Sequence, residues 1–128
     1  MAALSACDLG DAPKGVYRQN VCSYKQLDSA FSRAHYKATV YVQNCGATSG
    51  FVYAVNLMLK DSRFEDGYVR DPIIKMSDRT PGGLHPPLKP IMIRWDNQNQ
   101  LVISYDKRAH IHEMHVIASH QPIHYEPY

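Results

Sequence analysis

Residues 36–59 run YKATVYVQNCGATSGFVYAVNLML, and this stretch decides the fold class of the protein. Near its start, Ala38, Val40 and Val42 alternate with mostly polar residues, and a period of two is typical of a half-buried β-strand. Residues 44–50 then have the Asn, Gly, Thr and Ser composition of a turn. The last part is apolar on both faces where it begins, which predicts a strand in the middle of a sheet. We therefore expect two strands joined as an antiparallel hairpin.

The C-terminal half contains a second pair of alternating apolar runs around a polar turn. Residues 91–105 contain two alternating apolar runs around the polar turn 96–99, which predicts a second hairpin. Residues 111–117 predict a further strand, and residues 123–125 a last short one with a proline on each side. Consecutive strands joined by short turns are typical of an antiparallel, mainly β architecture.

The segment before the first hairpin has two interpretations. Leu27 and Phe31 are four residues apart, with Ala30 and Ala34 beside them, and this spacing predicts a short helix within residues 23–34. A strand end followed by a turn is the alternative. We therefore predict the mainly β class, as a small antiparallel sheet or sandwich of five to seven strands, with the short N-terminal helix left open.

Length and composition bound the organisation of the chain. The protein has 128 residues, of which 45% are hydrophobic, and a formal net charge of +2. We expect an N-terminal tether over residues 1–20 and a single β-rich domain over residues 21–128. A charge this close to neutral argues against a protein that grips nucleic-acid phosphates. The longest apolar run is well short of the about twenty residues of a membrane-spanning helix.

A long segment, residues 61–90, is rich in proline and glycine. It contains the pair Gly82 and Gly83 and five prolines, and a short strand is expected near residues 72–76. Loops of this length in small domains are often functional. A variable surface excursion is the alternative.

The N-terminus carries a short motif. The order Leu4, Ser5, Ala6, Cys7 looks like the lipobox of a bacterial lipoprotein signal peptide, in which the cysteine receives the lipid. The three residues before it contain neither a basic start nor an apolar stretch. Either the start is internal or trimmed, or the match is a chance one in a cytosolic protein. Lipidation of Cys7 predicts a periplasmic protein anchored to the inner or outer membrane; a true start at Met1 predicts a cytoplasmic one.

The cysteine count fits the same hypothesis. There are three cysteines, and if Cys7 carries lipid, Cys22 and Cys45 remain as a pair. Envelope compartments are oxidising, so we expect these two to form a disulfide. The alternative is two free thiols in a reducing cytosol.

Two segments resemble a known family. Residues 36–51, in which a strand runs into Cys45, Gly46, Ala47 and Thr48, and the later residues 95–105 resemble an uncharacterised family of small bacterial lipoproteins. The resemblance covers about half of the chain. It implies a small β-domain of the cell envelope and implies no catalytic residues.

Five of the seven histidines lie near the C-terminus: His110, His112, His115, His120 and His124. On a strand, His110 and His112 point the same way and are weak candidates for a zinc site, which requires a third ligand. His115 would lie on the opposite face with Glu113. Imidazoles on a solvated strand and a response to pH are the alternatives. We predict no metal and no other cofactor.

No catalytic constellation is evident. The sequence lacks Gly-x-Ser-x-Gly and a Gly-rich phosphate loop, so we predict no enzyme and no catalytic residues. Nine tyrosines suit a binding surface, and Tyr41 is expected to face outward. Ordinary usage in strands, which favour tyrosine, is the preferred alternative for their number. The leading hypothesis is a non-enzymatic module that binds another protein, such as an immunity or inhibitor protein against a toxin or hydrolase. The alternative is a metal-binding envelope protein that uses the histidine cluster; a weak enzyme ranks last. The sequence does not identify the residues that bind the partner.

Overall fold

Nine β-strands form the part of the chain that the computed structural model describes, residues 22–46, 51–63, 72–78 and 83–128. In chain order they are Ser23–Phe31 (β1), Tyr36–Asn44 (β2), Phe51–Leu59 (β3), Ile74–Ser77 (β4), Met92–Trp95 (β5), Leu101–Tyr105 (β6), His110–Met114 (β7), Ile117–Ala118 (β8) and Gln121–Pro127 (β9). The mainly β prediction is confirmed. The count exceeds five to seven because residues 23–31 form a strand, β1, and because the single strand expected over residues 111–117 is divided into β7 and the two-residue β8, which lie in different sheets.

The first sheet has the order β1-β2-β3-β4-β7, with every pair antiparallel. The predicted hairpin of β2 and β3 is confirmed, with a continuous ladder from Tyr36 opposite Leu59 to Asn44 opposite Phe51. β3 is the central strand of this sheet, as its apolar start predicted. β4 is the short strand expected near residues 72–76.

β2 differs from the predicted half-buried strand. Its middle residues, from Ala38 to Tyr41, are all buried, so both faces of the strand are removed from water there. The prediction that Tyr41 faces outward is therefore wrong, since its exposed fraction is 3%. The alternation of residue types correctly placed the two faces but did not show that both would be covered.

Residues 23–31 form a strand, so the helix considered for residues 23–34 is wrong. β1 pairs with β2 from Ser23 opposite Asn44 to Phe31 opposite Lys37. The helical spacing of Leu27 and Phe31 does not mark a buried face, because both side chains are exposed. Leu27 lies at an irregularity in the ladder, where the register shifts. Pairing with β2 therefore overrides the local helical pattern.

The second sheet has the order β5-β6-β9-β8. The predicted hairpin of β5 and β6 is confirmed, and Asp96 organises its turn by accepting the backbone N–H groups of Gln98 and Gln100, each at 2.9 Å. β6 and β9 run parallel, which departs from the antiparallel expectation. Between them the chain crosses to β7 in the first sheet before it returns, and this crossover lets β9 run in the direction of β6.

The apolar core lies between the two sheets. Its members come from the inner faces of both sheets and from residues beside them: Ala38, Val40, Val55, Ile73, Ile74, Met76, Ile91, Leu101, Ile103 and Ile123. The prolines expected to bound the last strand lie within β9, where Pro122 is opposite Ile117 in the two-residue β8. No helix in the described part of the chain is long and apolar enough to cross a membrane.

Candidate binding cleft between the two sheets

An open cleft of about 450 Å³ lies between the edge strands of the two sheets. β1 supplies Leu27 and Asp28 to one wall, and Val40 and Tyr53 form the floor. The opposite wall consists of residues 88–92, at the end of the proline-rich stretch. A mostly apolar cleft of this volume with a few polar groups has the size and character of a ligand-binding site.

One end of the cleft is closed by contacts between β1 and β5. The indole Nε1 of Trp95 donates a hydrogen bond to the carbonyl oxygen of Ala30 at 2.9 Å. Beyond the end of β1, the backbone N–H of Arg33 donates to Oδ1 of Asn99 at 3.0 Å, and its guanidinium donates to the carbonyl oxygen of Asn97. These bonds hold the two edges together at residues 30–33.

The second wall is fixed by a buried carboxylate. The residues that precede β5, 86–91, are called the 86–91 segment, and residues 88–91 of this segment belong to the second wall. Asp106, which is fully buried just after β6, accepts the backbone N–H of Lys89 at 2.9 Å. Arg108 contacts this carboxylate at 2.7 Å and also donates to the carbonyl oxygens of Pro86 and Pro87 at 2.8 and 2.9 Å. Asp106 and Arg108 thus bind the 86–91 segment through three backbone groups.

These contacts shift the pKa values of the groups involved. The side-chain hydrogen bond from Arg108 holds the pKa of Asp106 well below its ordinary value, and the N–H groups of Lys89 and Arg108 act in the same direction. Burial opposes this shift but does not outweigh it. Asp106 therefore carries its negative charge inside the protein at neutral pH.

The C-terminal residue adds a further contact to the same wall. The phenol of Tyr128 donates to the carbonyl oxygen of Pro90 at 2.6 Å, and its own N–H donates to the carbonyl oxygen of Tyr105 at 2.8 Å. Burial, followed by the charge of Asp106, raises the pKa of Tyr128 and keeps this donor protonated. The Nζ of Lys89 lies 4.5 Å from the centre of the Tyr128 ring.

Two large apolar side chains at the cleft are exposed. Leu27 is 48% exposed and Met92 is 57% exposed. They come from the two edge strands, β1 and β5, so the cleft has an apolar rim on both sides. Burying such side chains against a partner is favourable, by about 25 cal/mol for each Å² of apolar surface removed from water.

The predicted lipid and disulfide sites have different outcomes. Cys7 and the tether over residues 1–20 lie outside the described residues. Cys22 and Cys45 are joined by a disulfide, as the sequence predicted, and this bond links the residue before β1 to the residue after β2. It therefore joins the edge strand β1 to its neighbour β2 at the end of their ladder where Ser23 is opposite Asn44.

The histidines are distributed over several contacts. The rings of His110 and His112 lie on the same side of β7, with centres 4.7 Å apart, and His112 Nε2 lies 2.6 Å from the hydroxyl of Ser77. His115 instead bonds Glu113 at 2.7 Å. Among the described residues, no three His, Cys, Asp or Glu side chains are grouped to hold a metal ion.

The Ser77 and His112 pair has the distance of a nucleophile and its base. Ser77 is only 8% exposed, however, so a substrate has little access to its hydroxyl. On the same sheet, Thr39 Oγ1 and Asn56 Oδ1 are buried without a hydrogen-bond partner in the described part of the chain. Burial, with smaller effects of Tyr24 and Glu113, raises the pKa of Tyr41. These groups do not line the cleft.

The sequence pointed to the neighbourhood of the cleft but not to its residues. Residues 61–90 had two interpretations, a functional loop and a variable surface excursion. The last residues of this stretch form the second wall of the cleft. Asp106 and Arg108 had the pattern of an ordinary turn after β6, and their charges were the one available signal. No protein-family model, no curated protein and no solved structure matches this chain.

Proposed function

We propose that this protein is a non-enzymatic, protein-binding module of the bacterial cell envelope, and that the cleft is its recognition site. A concrete version is an immunity or inhibitor protein that neutralises a toxin or an envelope hydrolase. The observation that carries the proposal is the open apolar cleft between β1 and residues 88–92, with Leu27 and Met92 exposed at its rim.

The cleft suits an anchor side chain of a partner protein. Binding energy in protein interfaces is concentrated in a few residues that fill well-packed, desolvated pockets. The second wall is held by Asp106, Arg108 and Tyr128, so the cleft exists before the partner arrives. A preformed site lowers the ordering cost of association.

The envelope part of the proposal is supported by the cysteines. The disulfide of Cys22 and Cys45 suits an oxidising compartment. The lipobox-like residues Leu4, Ser5 and Ala6 mark Cys7 for lipidation, and lipid on Cys7 would hold the module at the inner or outer membrane. The resemblance to small bacterial lipoproteins in the segment around Cys45 agrees with this location.

The test is affinity capture from a solubilised envelope fraction with the whole chain as bait. Met92→Asp and Leu27→Asp place a charge at the cleft, while Val116→Asp is the matched control because Val116 is an exposed apolar residue (66%) that does not line the cleft. We expect a protein that wild type and Val116→Asp retain and both cleft variants lose. A captured hydrolase should also lose activity when wild type is added.

Circular dichroism should first be used to check that each variant is folded. A partner retained equally by Met92→Asp, Leu27→Asp and wild type would show that the cleft is not the recognition site. Failure to retain any specific protein would contradict the binding module itself.

The alternative function is metal binding in the envelope. It is supported by the two rings of His110 and His112, which lie on one side of β7 with centres 4.7 Å apart. Zinc or copper titration of wild type and of a His110→Ala/His112→Ala variant tests it. A loss of affinity in the variant supports metal binding, and equal affinity removes it.

A further inference from the structure

The two walls of the cleft carry side chains of opposite charge. Asp28 lies on β1, and Lys89 lies in the 86–91 segment across the cleft. Both residues are exposed, and neither forms an ion pair among the residues that the structure describes. An occupant of the cleft therefore meets one acidic residue, Asp28, on one wall and one basic residue, Lys89, on the other.

We infer that the partner segment entering this cleft carries a bulky apolar side chain flanked by a basic group facing Asp28 and an acidic group facing Lys89. The inference rests on the proposed function, because it names the chemistry of the partner at the same cleft. The apolar member is required by the floor of Val40 and Tyr53 and by the rim of Leu27 and Met92.

Both charges are held in place by local contacts. Asp28 Oδ1 accepts the N–H of Ser29 at 2.8 Å, which orients the carboxylate on the exposed strand edge. The backbone of Lys89 is fixed by Asp106, and its Nζ rests on the ring of Tyr128. Charges fixed on opposite walls discriminate the orientation of a ligand, because the reversed ligand places like charges together.

The apolar and charged parts of the site contribute differently. Burial of the anchor side chain supplies most of the affinity, as anchor residues do in protein interfaces. The rim charges supply orientation and selectivity, and reversal of one of them should weaken binding about tenfold. A partner with the correct anchor and the wrong charges therefore binds weakly.

The experiment selects displayed random dodecapeptides on the whole chain, and then measures the affinity of the synthesised peptides by calorimetry. We expect the selected peptides to share a bulky apolar residue with a basic residue on one side and an acidic one on the other. Their affinity should fall about tenfold for Asp28→Lys and for Lys89→Glu. The double exchange Asp28→Lys/Lys89→Glu should prefer peptides with the two charges exchanged.

Lys60→Glu and Asp61→Lys form a matched control, since both residues are exposed and lie outside the cleft. If a charge reversal fails to fold, Asp28→Asn and Lys89→Gln replace it. Peptides that lose binding with Met92→Asp but ignore the charge changes would overturn the inference and leave the proposed function standing. Peptides that ignore Met92→Asp, or the absence of any selected peptide, would overturn both.

Discussion

The carboxylate of Asp106 accepts the backbone N–H of Lys89 at 2.9 Å, which joins the residue after β6 to one wall of the cleft. Arg108 extends this contact, because its guanidinium binds Asp106 and the carbonyl oxygens of two prolines at once. The 86–91 segment belongs to no strand, so it is held by these side-chain hydrogen bonds and not by the backbone hydrogen bonds of a sheet. Stability and binding should therefore both depend on this carboxylate.

Replacing Asp106 by alanine should destabilise the protein by about 3 kcal/mol, because the N–H groups of Lys89 and Arg108 and the guanidinium lose their acceptor. Urea denaturation measures the effect as a lower midpoint. Asp61→Ala, at an exposed position, is the control and should stay within about 0.5 kcal/mol of wild type. Equal midpoints for Asp106→Ala and wild type would show that the carboxylate does not hold the segment.

Asp106 should also make the protein sensitive to acid. Its pKa is lowered in the folded state, so as the pH falls below about 4 the unfolded chain binds the proton first. The stabilisation is complete above the ordinary value of 3.8 and is lost as the pH falls through the lower folded value. Asp106→Asn cannot titrate, so it should lose less stability than wild type between neutral pH and about pH 3.

Urea midpoints at the two pH values give the comparison for the acid prediction. Asp61→Asn is the matched control, and we expect it to lose as much stability as wild type. A loss of equal size in Asp106→Asn and wild type would assign the acid sensitivity to other carboxylates.

The disulfide should contribute about 3 kcal/mol to the free energy of unfolding, because it closes a loop with a sequence separation of 23. The variant Cys22→Ser/Cys45→Ser should unfold at a correspondingly lower urea concentration. Cys7→Ser is the control and should leave the midpoint unchanged. Intact mass with and without reductant should differ by two hydrogens, and equal masses would mean that the two thiols are free.

Trp95→Phe should lower the stability by about 1 kcal/mol, because the carbonyl oxygen of Ala30 loses the indole donor. Circular dichroism follows the urea unfolding, since Trp95 is the single tryptophan and the variant has none. Amide hydrogen exchange in β1 should become faster, because this bond links β1 to β5. Phe51→Leu, which trims an exposed ring, should change neither quantity. Unchanged exchange in β1 would show that other contacts close this end of the cleft.

Two of the failed expectations share one cause. Leu27 and Phe31 have a helical spacing, yet β2 draws the segment into a strand and leaves both side chains exposed. Tyr41 lies among the mostly polar residues that alternate with the apolar ones along β2, yet its side chain is buried. In each case a contact between distant parts of the chain outweighed a local preference, because burial and pairing energies exceed the propensity differences of single residues.

The sequence alone determined what depends on neighbours in the chain: the strands with alternating residues and the two hairpins. It predicted the pairing of Cys22 and Cys45 only as one of two alternatives, and the structure shows the bond. The tertiary structure decided the cleft. Trp95 and Ala30 are 65 residues apart and Asp106 and Lys89 are 17 apart, and no local pattern predicts which donor meets which acceptor. These long-range hydrogen bonds depend on how the two sheets pack around one core, and this packing is a property of the whole chain.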